Sequence, residues 1–212
     1  MILILPTTQK VMPMKCLLIT PVVALLALTA NAQTWTVDKA HSRVGFTVTH
    51  LMLSEVDGNF KTFDAKITAA KPDLSDAVFD MTADVSSINT DNDRRDGDLK
   101  SDKWFDVAKY PTLTFKSTSF KKVEGKKYKA TGDLTMHGVT KPVTLDVTMN
   151  GPVTNESPRG KTEKVGFKVT GALKRSDFGV GANVPVAVAS DEIELKANGE
   201  FAKQDVATAE KK

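Results

Sequence analysis

From Thr34 onward, apolar and polar residues alternate with a period of two, the spacing of strands that have one dry face and one wet one. Val44, Phe46 and Val48 share a face, with Gly45, Thr47 and Thr49 opposite. Phe79, Met81, Ala83 and Val85 alternate with Asp80, Thr82 and Asp84. The pattern recurs at Leu113 and Phe115, over Tyr128, Ala130, Leu134 and Met136, and over Val143, Leu145, Val147 and Met149. It returns at Val165, Phe167, Val169 and Leu173, and again at Ile193, Leu195, Ala197 and Phe201. Glu124-Gly125-Lys126, His137-Gly138 and Asn150-Gly151-Pro152 carry turn chemistry between these runs. Asn198-Gly199 lies inside a run and predicts a bulge or bend. One polar segment, residues 91–101, reads as a short helix capped by Asn89 or Thr90, although Gly97 weakens it.

About eight one-sided strands with a single short helical insertion predict an all-β fold, one closed antiparallel β-barrel. Its inward face places Ala83, Ala130, Gly132, Gly171, Ala197 and Gly199 among the large residues, where a solid core would prefer bulk. Small inward residues favour a ligand cavity; the competing reading is that the glycines mark bends that help the sheet close. The tunnel wall expected from parity comprises Val44, Phe46, Val48, Phe79, Met81, Ala83, Phe115 and Leu134. Met136, Leu145, Val147, Phe167, Val169, Gly171 and Leu195 complete it. A transmembrane barrel is disfavoured by the Lys-rich polar face, the charged Glu210-Lys211-Lys212 end and too few aromatics for two interfacial girdles.

Residues 14–32, MKCLLITPVVALLALTANA, read as a cleaved export signal. Lys15 precedes an apolar run too short to span a bilayer, and Ala30-Asn31-Ala32 offers a small-x-small cleavage site. Residues 1–13 read as an upstream extension from a misplaced start. The mature domain is expected to occupy residues 33–205, followed by a disordered polar tail at 206–212, and to be periplasmic or secreted. The chain has 29 Lys+Arg against 26 Asp+Glu. Removing 1–32 takes away Lys10 and Lys15 and leaves a net charge of +1, so no nucleic-acid-binding patch is expected. The single cysteine, Cys16, leaves with the signal, and a disulfide-free exported domain must rely on its core. Removing 32 of 212 residues leaves 180, enough for a single domain to bury about 70% of its unfolded surface.

Candidate chemistry is sparse. His50 continues the inward parity of Val44, Phe46 and Val48. It reads either as a head-group partner at the barrel rim or as a strand-end histidine bonded to backbone. His41 and His137 adjoin turns and read as structural. Neither histidine spacing nor a cysteine pair supports zinc. The acidic run Asp91, Asp93, Asp96, Asp98 and Asp102 fails as a calcium loop, because Gly97 at position six would place Arg94 at position three and Lys103 at position twelve. Arg94 and Arg95 are instead expected to pair with these acids on a solvated helix. Arg175 shares parity with Leu173 and points inward if the strand persists, with Asp177 as its expected partner; a head-group contact is the alternative. A G-x-S-x-G elbow and a phosphate-cradling glycine loop are both absent from the sequence, so no enzyme is expected.

Four separated stretches carry a family resemblance: WTVDKAHSRVGFTVTHLMLSEVDGNF, RRDGDLKSDKWFDVAKYPTLTFKS, GDLTMHGVTKPVTLDV and GALKRSDFGV. Together they resemble the successive signatures of the YceI-like family and span residues 35–201. The resemblance implies a secreted or periplasmic lipocalin-like barrel whose apolar tunnel holds a polyisoprenoid or an isoprenoid quinone. It places Arg95 and Asp96 beside the mouth, where they would suit a lid. One departure is Trp104, where the family commonly has Phe. No cofactor other than a bound lipid is expected; transient membrane contact and a homodimer stay open as partners. On this reading, substitution of His50 or Arg175 weakens binding modestly, and Gly132→Phe or Gly171→Leu abolishes it.

Overall fold

The structure is a computed structural model that describes residues 32–157 and 160–204. Residues 1–31 of the expected signal and the whole expected tail, 206–212, lie outside them. Among the described residues ten strands follow in order: β1 (Gln33–His50), β2 (Ser54–Phe60), β3 (Phe63–Ala69), β4 (Val78–Asp84), β5 (Ile88–Asn89), β6 (Thr112–Glu124), β7 (Lys127–Met136), β8 (Val139–Ser157), β9 (Gly160–Lys174) and β10 (Ala189–Lys203). The helix α1 (Asp93–Lys100) separates β5 from β6, and one-turn 3-10 segments occupy Val85–Ser87 and Arg175–Phe178. All pairings are antiparallel, and eight strands close in the circuit β1-β3-β4-β6-β7-β8-β9-β10, with β10 returning to β1. The predicted barrel is observed.

The long β1 is the seam. Along one edge it pairs with β10 from Trp35↔Lys203 to His50↔Ala189. Along the other, residues 33–36 pair with β3 and residues 44–50 with β2. β2 and β3 act as one strand broken at Lys61-Thr62, where Ser87 ties the break by accepting from both Lys61 N–H and Thr62 N–H. Neither strand is among those expected from the alternation, although Val56 and Phe60 share a face in β2, and Phe63, Ala65, Ile67 and Ala69 keep the period of two in β3.

Three local expectations are corrected. Asn150-Gly151-Pro152 does not end a strand: β8 runs through it with a register shift between Asn150 and Val153. Asn155-Glu156-Ser157, beyond that turn signal, therefore still belongs to β8. The irregularity opposite Gly199 is carried by β1, where residues 39–42 intervene between the pairs Asp38↔Glu200 and Arg43↔Asn198. The helix begins later than expected, because Asn92 caps it by accepting from Arg95 N–H.

At one end an aromatic floor closes the barrel. Phe120 stacks on Tyr128 with centroids 4.5 Å apart, and Phe79 meets Phe120 and Phe167 edge-on at 5.1 Å. Phe167 meets Phe201 in the same way, and Trp35 is fully buried in this layer. Such ring packing adds about 0.5–1.5 kcal/mol per pair beyond burial. Above the floor the inward faces do not meet.

Candidate ligand-binding site

The space above the floor is a cavity of about 880 Å³. Strand register fixes the depth of each residue on its wall. Val44, Ala197, Val169 and Val147 form one level, linked by the pairs Val44↔Ala197, Ala197↔Val169 and Val147↔Val169. One step toward the mouth lie Phe46, Leu195 and Leu145; Val48, Ile193 and Leu173 follow. Met81, Phe115, Leu134 and Met136 line the opposite wall, and Phe79, Phe167 and Phe201 form its base. Lys66, Asp80 and Lys196 border the cavity from alternate strand positions, with their charged ends largely exposed. Ser42, Arg43 and Asn198 border it lower down, beside the irregularity in β1, and the other polar residues gather at the mouth: His50, Thr90, Asn92, Arg94, Arg95, Asp98, Ser101, Lys103 and Arg175.

Of the fifteen wall residues expected from parity, Ala83 and Gly171 do not line the cavity. Ala83 is fully buried between its ladder partners Phe63 and Leu113. Gly171 faces inward but lies under Leu145, whose Cδ2 would be 2.6 Å from a Cβ there. Gly132 is also unsuited to hold a bulky side chain, since a Cβ would collide with the Lys116 carbonyl. Val56, Phe60, Phe63 and Ala65 line the cavity and were missed because β2 and β3 were missed; Leu99, inside the polar helix α1, and Trp104 and Phe105, just after it, were missed because that segment reads as solvated.

The Arg95-Asp96 pair is a clasp. Asp96, only 5% exposed, accepts from Thr90 N–H at 2.8 Å, from Thr90 Oγ1 at 2.6 Å and from Asn89 Nδ2 at 3.3 Å. Arg95 donates from Nε to Thr90 Oγ1 and from Nη2 to the Thr90 carbonyl, both at 2.7 Å. The two residues fold back on the segment before α1 and fix it beside the mouth. They do not form the expected ion pairs, and Asp96 does not reach the cavity.

Arg175 is also not what parity suggested. The strand ends at Lys174, and the guanidinium turns into the connection between β9 and β10. Nε donates to Ser190 O, Nη1 to Val180 O and Gly181 O, and Nη2 to Val184 O and Ala189 O. Five N–H donors meet five carbonyls, which uses the full capacity of the side chain. The Trp104 ring covers Cζ at 5.6 Å, and the indole Nε1 donates to Asp98. Asp177, the expected partner, is exposed instead and binds Lys141 at 3.0 Å, away from the cavity. His50 is exposed on the rim, and its ring makes no hydrogen bond among the described residues. His137 is structural: Nδ1 lies 3.2 Å from the Phe178 carbonyl and the ring packs on Tyr110.

On the outer face, the β1 bulge brings Asp38, His41 and Glu200 within 4.8 Å of one another. Lys164 supplies the positive charge there, bonded to Glu200 and 3.9 Å from Asp38. The hydrogen bond to Asp38 raises the His41 pKa, and the same bond lowers that of Asp38. The stabilisation from this pair is therefore complete between the ordinary values of about 3.9 and 6.5. It is lost as pH falls through the lowered Asp38 value or rises through the raised His41 value. His41→Ala should flatten the loss of stability on the alkaline side, as read by denaturant titration at successive pH values.

The pattern that defines the YceI-like domain matches residues 35–201. Protein YceI of Salmonella newport is 38% identical over 168 residues, covering 78% of this chain and 85% of that protein. Among solved structures, the Campylobacter jejuni YCEI protein superposes with a TM-score of 0.66 at 37% identity, covering 80% of this chain and 98% of that one. Burkholderia cenocepacia BcnA gives 0.67 at 29% identity, covering 77% and 98%. A polyisoprenoid binding domain from Saccharophagus degradans, implicated in plant cell wall breakdown, shares the fold at a TM-score of 0.59 and 17% identity, covering 80% and 98%.

Proposed function

The chain belongs to the YceI-like family, and on that premise we propose that it is a non-catalytic carrier, periplasmic or secreted, that holds a polyisoprenoid or isoprenoid-quinone-like amphiphile inside the barrel. The observation that carries this reading is the 880 Å³ cavity, whose deep wall is built mainly from Val, Leu, Met and Phe side chains while most of its polar groups collect at the mouth. That gradient fits a long apolar chain with a polar end. At roughly 30 Å³ per heavy atom, the share a water molecule takes in its liquid, the cavity holds about thirty heavy atoms, or about six isoprene units. Each buried methylene contributes about 0.8 kcal/mol, so a chain of this length outweighs the roughly 4–15 kcal/mol cost of association. The ligand class named for the Saccharophagus degradans domain supports the same choice.

The test is native mass spectrometry of the chain expressed with its leader in an exporting host and purified without detergent, followed by organic extraction. A stoichiometric adduct of isoprenoid mass is the expected result. An empty protein that also fails to take up an added isoprenoid quinone would overturn the carrier reading in favour of an interaction module.

A further inference from the structure

The turn joining β1 to β2 breaks two local rules at once. It is closed by a hydrogen bond from Leu53 N–H to the His50 carbonyl at 3.0 Å. Its two central residues, Leu51 and Met52, have φ of 52° and 57°, a left-handed conformation that favours Asn and Gly and disfavours larger side chains. Leu51, Met52 and Leu53 are also 47%, 75% and 85% exposed. A sequence that accepts both backbone strain and exposed apolar surface in one turn marks a place where function overrides local stability.

A second apolar turn lies against the first. Leu51 N–H donates to the Val188 carbonyl, and Val188 N–H closes its own turn on Pro185 O. Among the described residues eight large apolar side chains are exposed, and five of them, Leu51, Met52, Leu53, Val186 and Val188, fall in these two turns. Chance scatter would need no explanation; this clustering does. The patch is continuous with the cavity, because His50 and Val188 belong both to the turns and to the wall. Arg175 holds the second turn in place through the Val184 and Ala189 carbonyls.

We infer that this paired-turn tip is a membrane-docking surface: Leu51, Met52 and Leu53 enter the interfacial layer of a lipid bilayer and set the cavity mouth against it. The inference rests on the carrier reading for its purpose, since an apolar chain that moved through water between bilayer and barrel would lose the stabilisation of every methylene on the way. A contiguous apolar path from the tip through Val188 to the wall removes that barrier. The three tip residues carry no charge, so apolar insertion and not attraction to anionic lipid drives the contact.

The discriminating variant is the double substitution Leu51→Asn with Met52→Gly, which installs the residues a turn of this geometry prefers. It should fold with an unchanged or higher Tm, so loss of function is separable from loss of fold. Flotation with phosphatidylcholine vesicles should capture the wild-type chain with little dependence on salt, and the variant should partition about a hundredfold less. Isoprenoid quinone delivered from ethanol should bind both proteins equally, while its uptake from vesicles should be slow only in the variant. If neither protein takes up quinone by either route but the wild type still floats, the carrier reading fails and the docking surface stands. A wild type that stays unbound, or a variant that floats equally well, overturns the docking surface. So does a wild type that ignores vesicles but forms a dimer the variant cannot form.

Discussion

Replacement of Arg175 by methionine is expected to cost about 3–5 kcal/mol of unfolding free energy, because several buried carbonyls lose their charge-assisted donors at once. The side chain is 4% exposed and donates to five carbonyls of one connection. Methionine fills similar volume but leaves those carbonyls to find water or remain unpaired, at about 1–3 kcal/mol for each one that stays buried. Lysine should recover only part of the loss, because a compact ammonium with three donors cannot span five acceptors arranged around a planar fork. Urea unfolding of the two variants reads the effect. A head-group-binding arginine would behave in the opposite way, with stability within about 1 kcal/mol of wild type and ligand affinity sharply reduced. The expectation of modestly weakened binding at this position is thus replaced by a structural one.

Filling the lower cavity should abolish binding of long chains without harming the fold. Ala197→Trp with Val169→Phe places two large rings on one level, directly above the aromatic floor, from positions that are ladder partners. In a closely packed core such insertions cost about 1–3 kcal/mol through strain. Into open space they bury apolar surface instead, and Tm should hold or rise. The paired readout separates a carrier from a filled barrel: retained stability with lost uptake of a long isoprenoid supports the former, whereas a destabilised protein indicates that no ligand space existed. An isoprenoid short enough to sit above Leu195 should still bind. Gly132 is the wrong place for this test, since a side chain there meets backbone and would distort the β6–β7 ladder.

The barrel was legible because one face of every long strand is dry, so parity alone assigned thirteen cavity residues to the correct face. Where the signal failed, the cause is local. β2 and β3 are each seven residues long with acids, a lysine and a glycine among them, which dilutes the alternation, and only the structure joins the pair into one interrupted strand. Arg175 misled because parity assumes that the strand continues, whereas the backbone leaves it one residue earlier. Asp96 misled for a different reason. A carboxylate on a polar helix reads as solvated, and only the fold reveals that Thr90 lies beneath it to provide two short hydrogen bonds. The tip turn carries the opposite lesson: Leu-Met-Leu between strands resembles continuing strand in sequence, and only its backbone angles reveal the strain.

The pairing of β1 with β10 also has a bearing on when the protein acquires its ligand. These are the first and last strands of the barrel, joined from Trp35↔Lys203 to His50↔Ala189. Contacts so distant along the chain carry the largest loop-closure cost and form late. Until β10 is in place the wall lacks Ile193, Leu195 and Ala197, and an apolar chain would face water along the whole length of that gap. On the carrier reading, a lipid would therefore enter a finished barrel through its mouth, after the β1–β10 seam has closed.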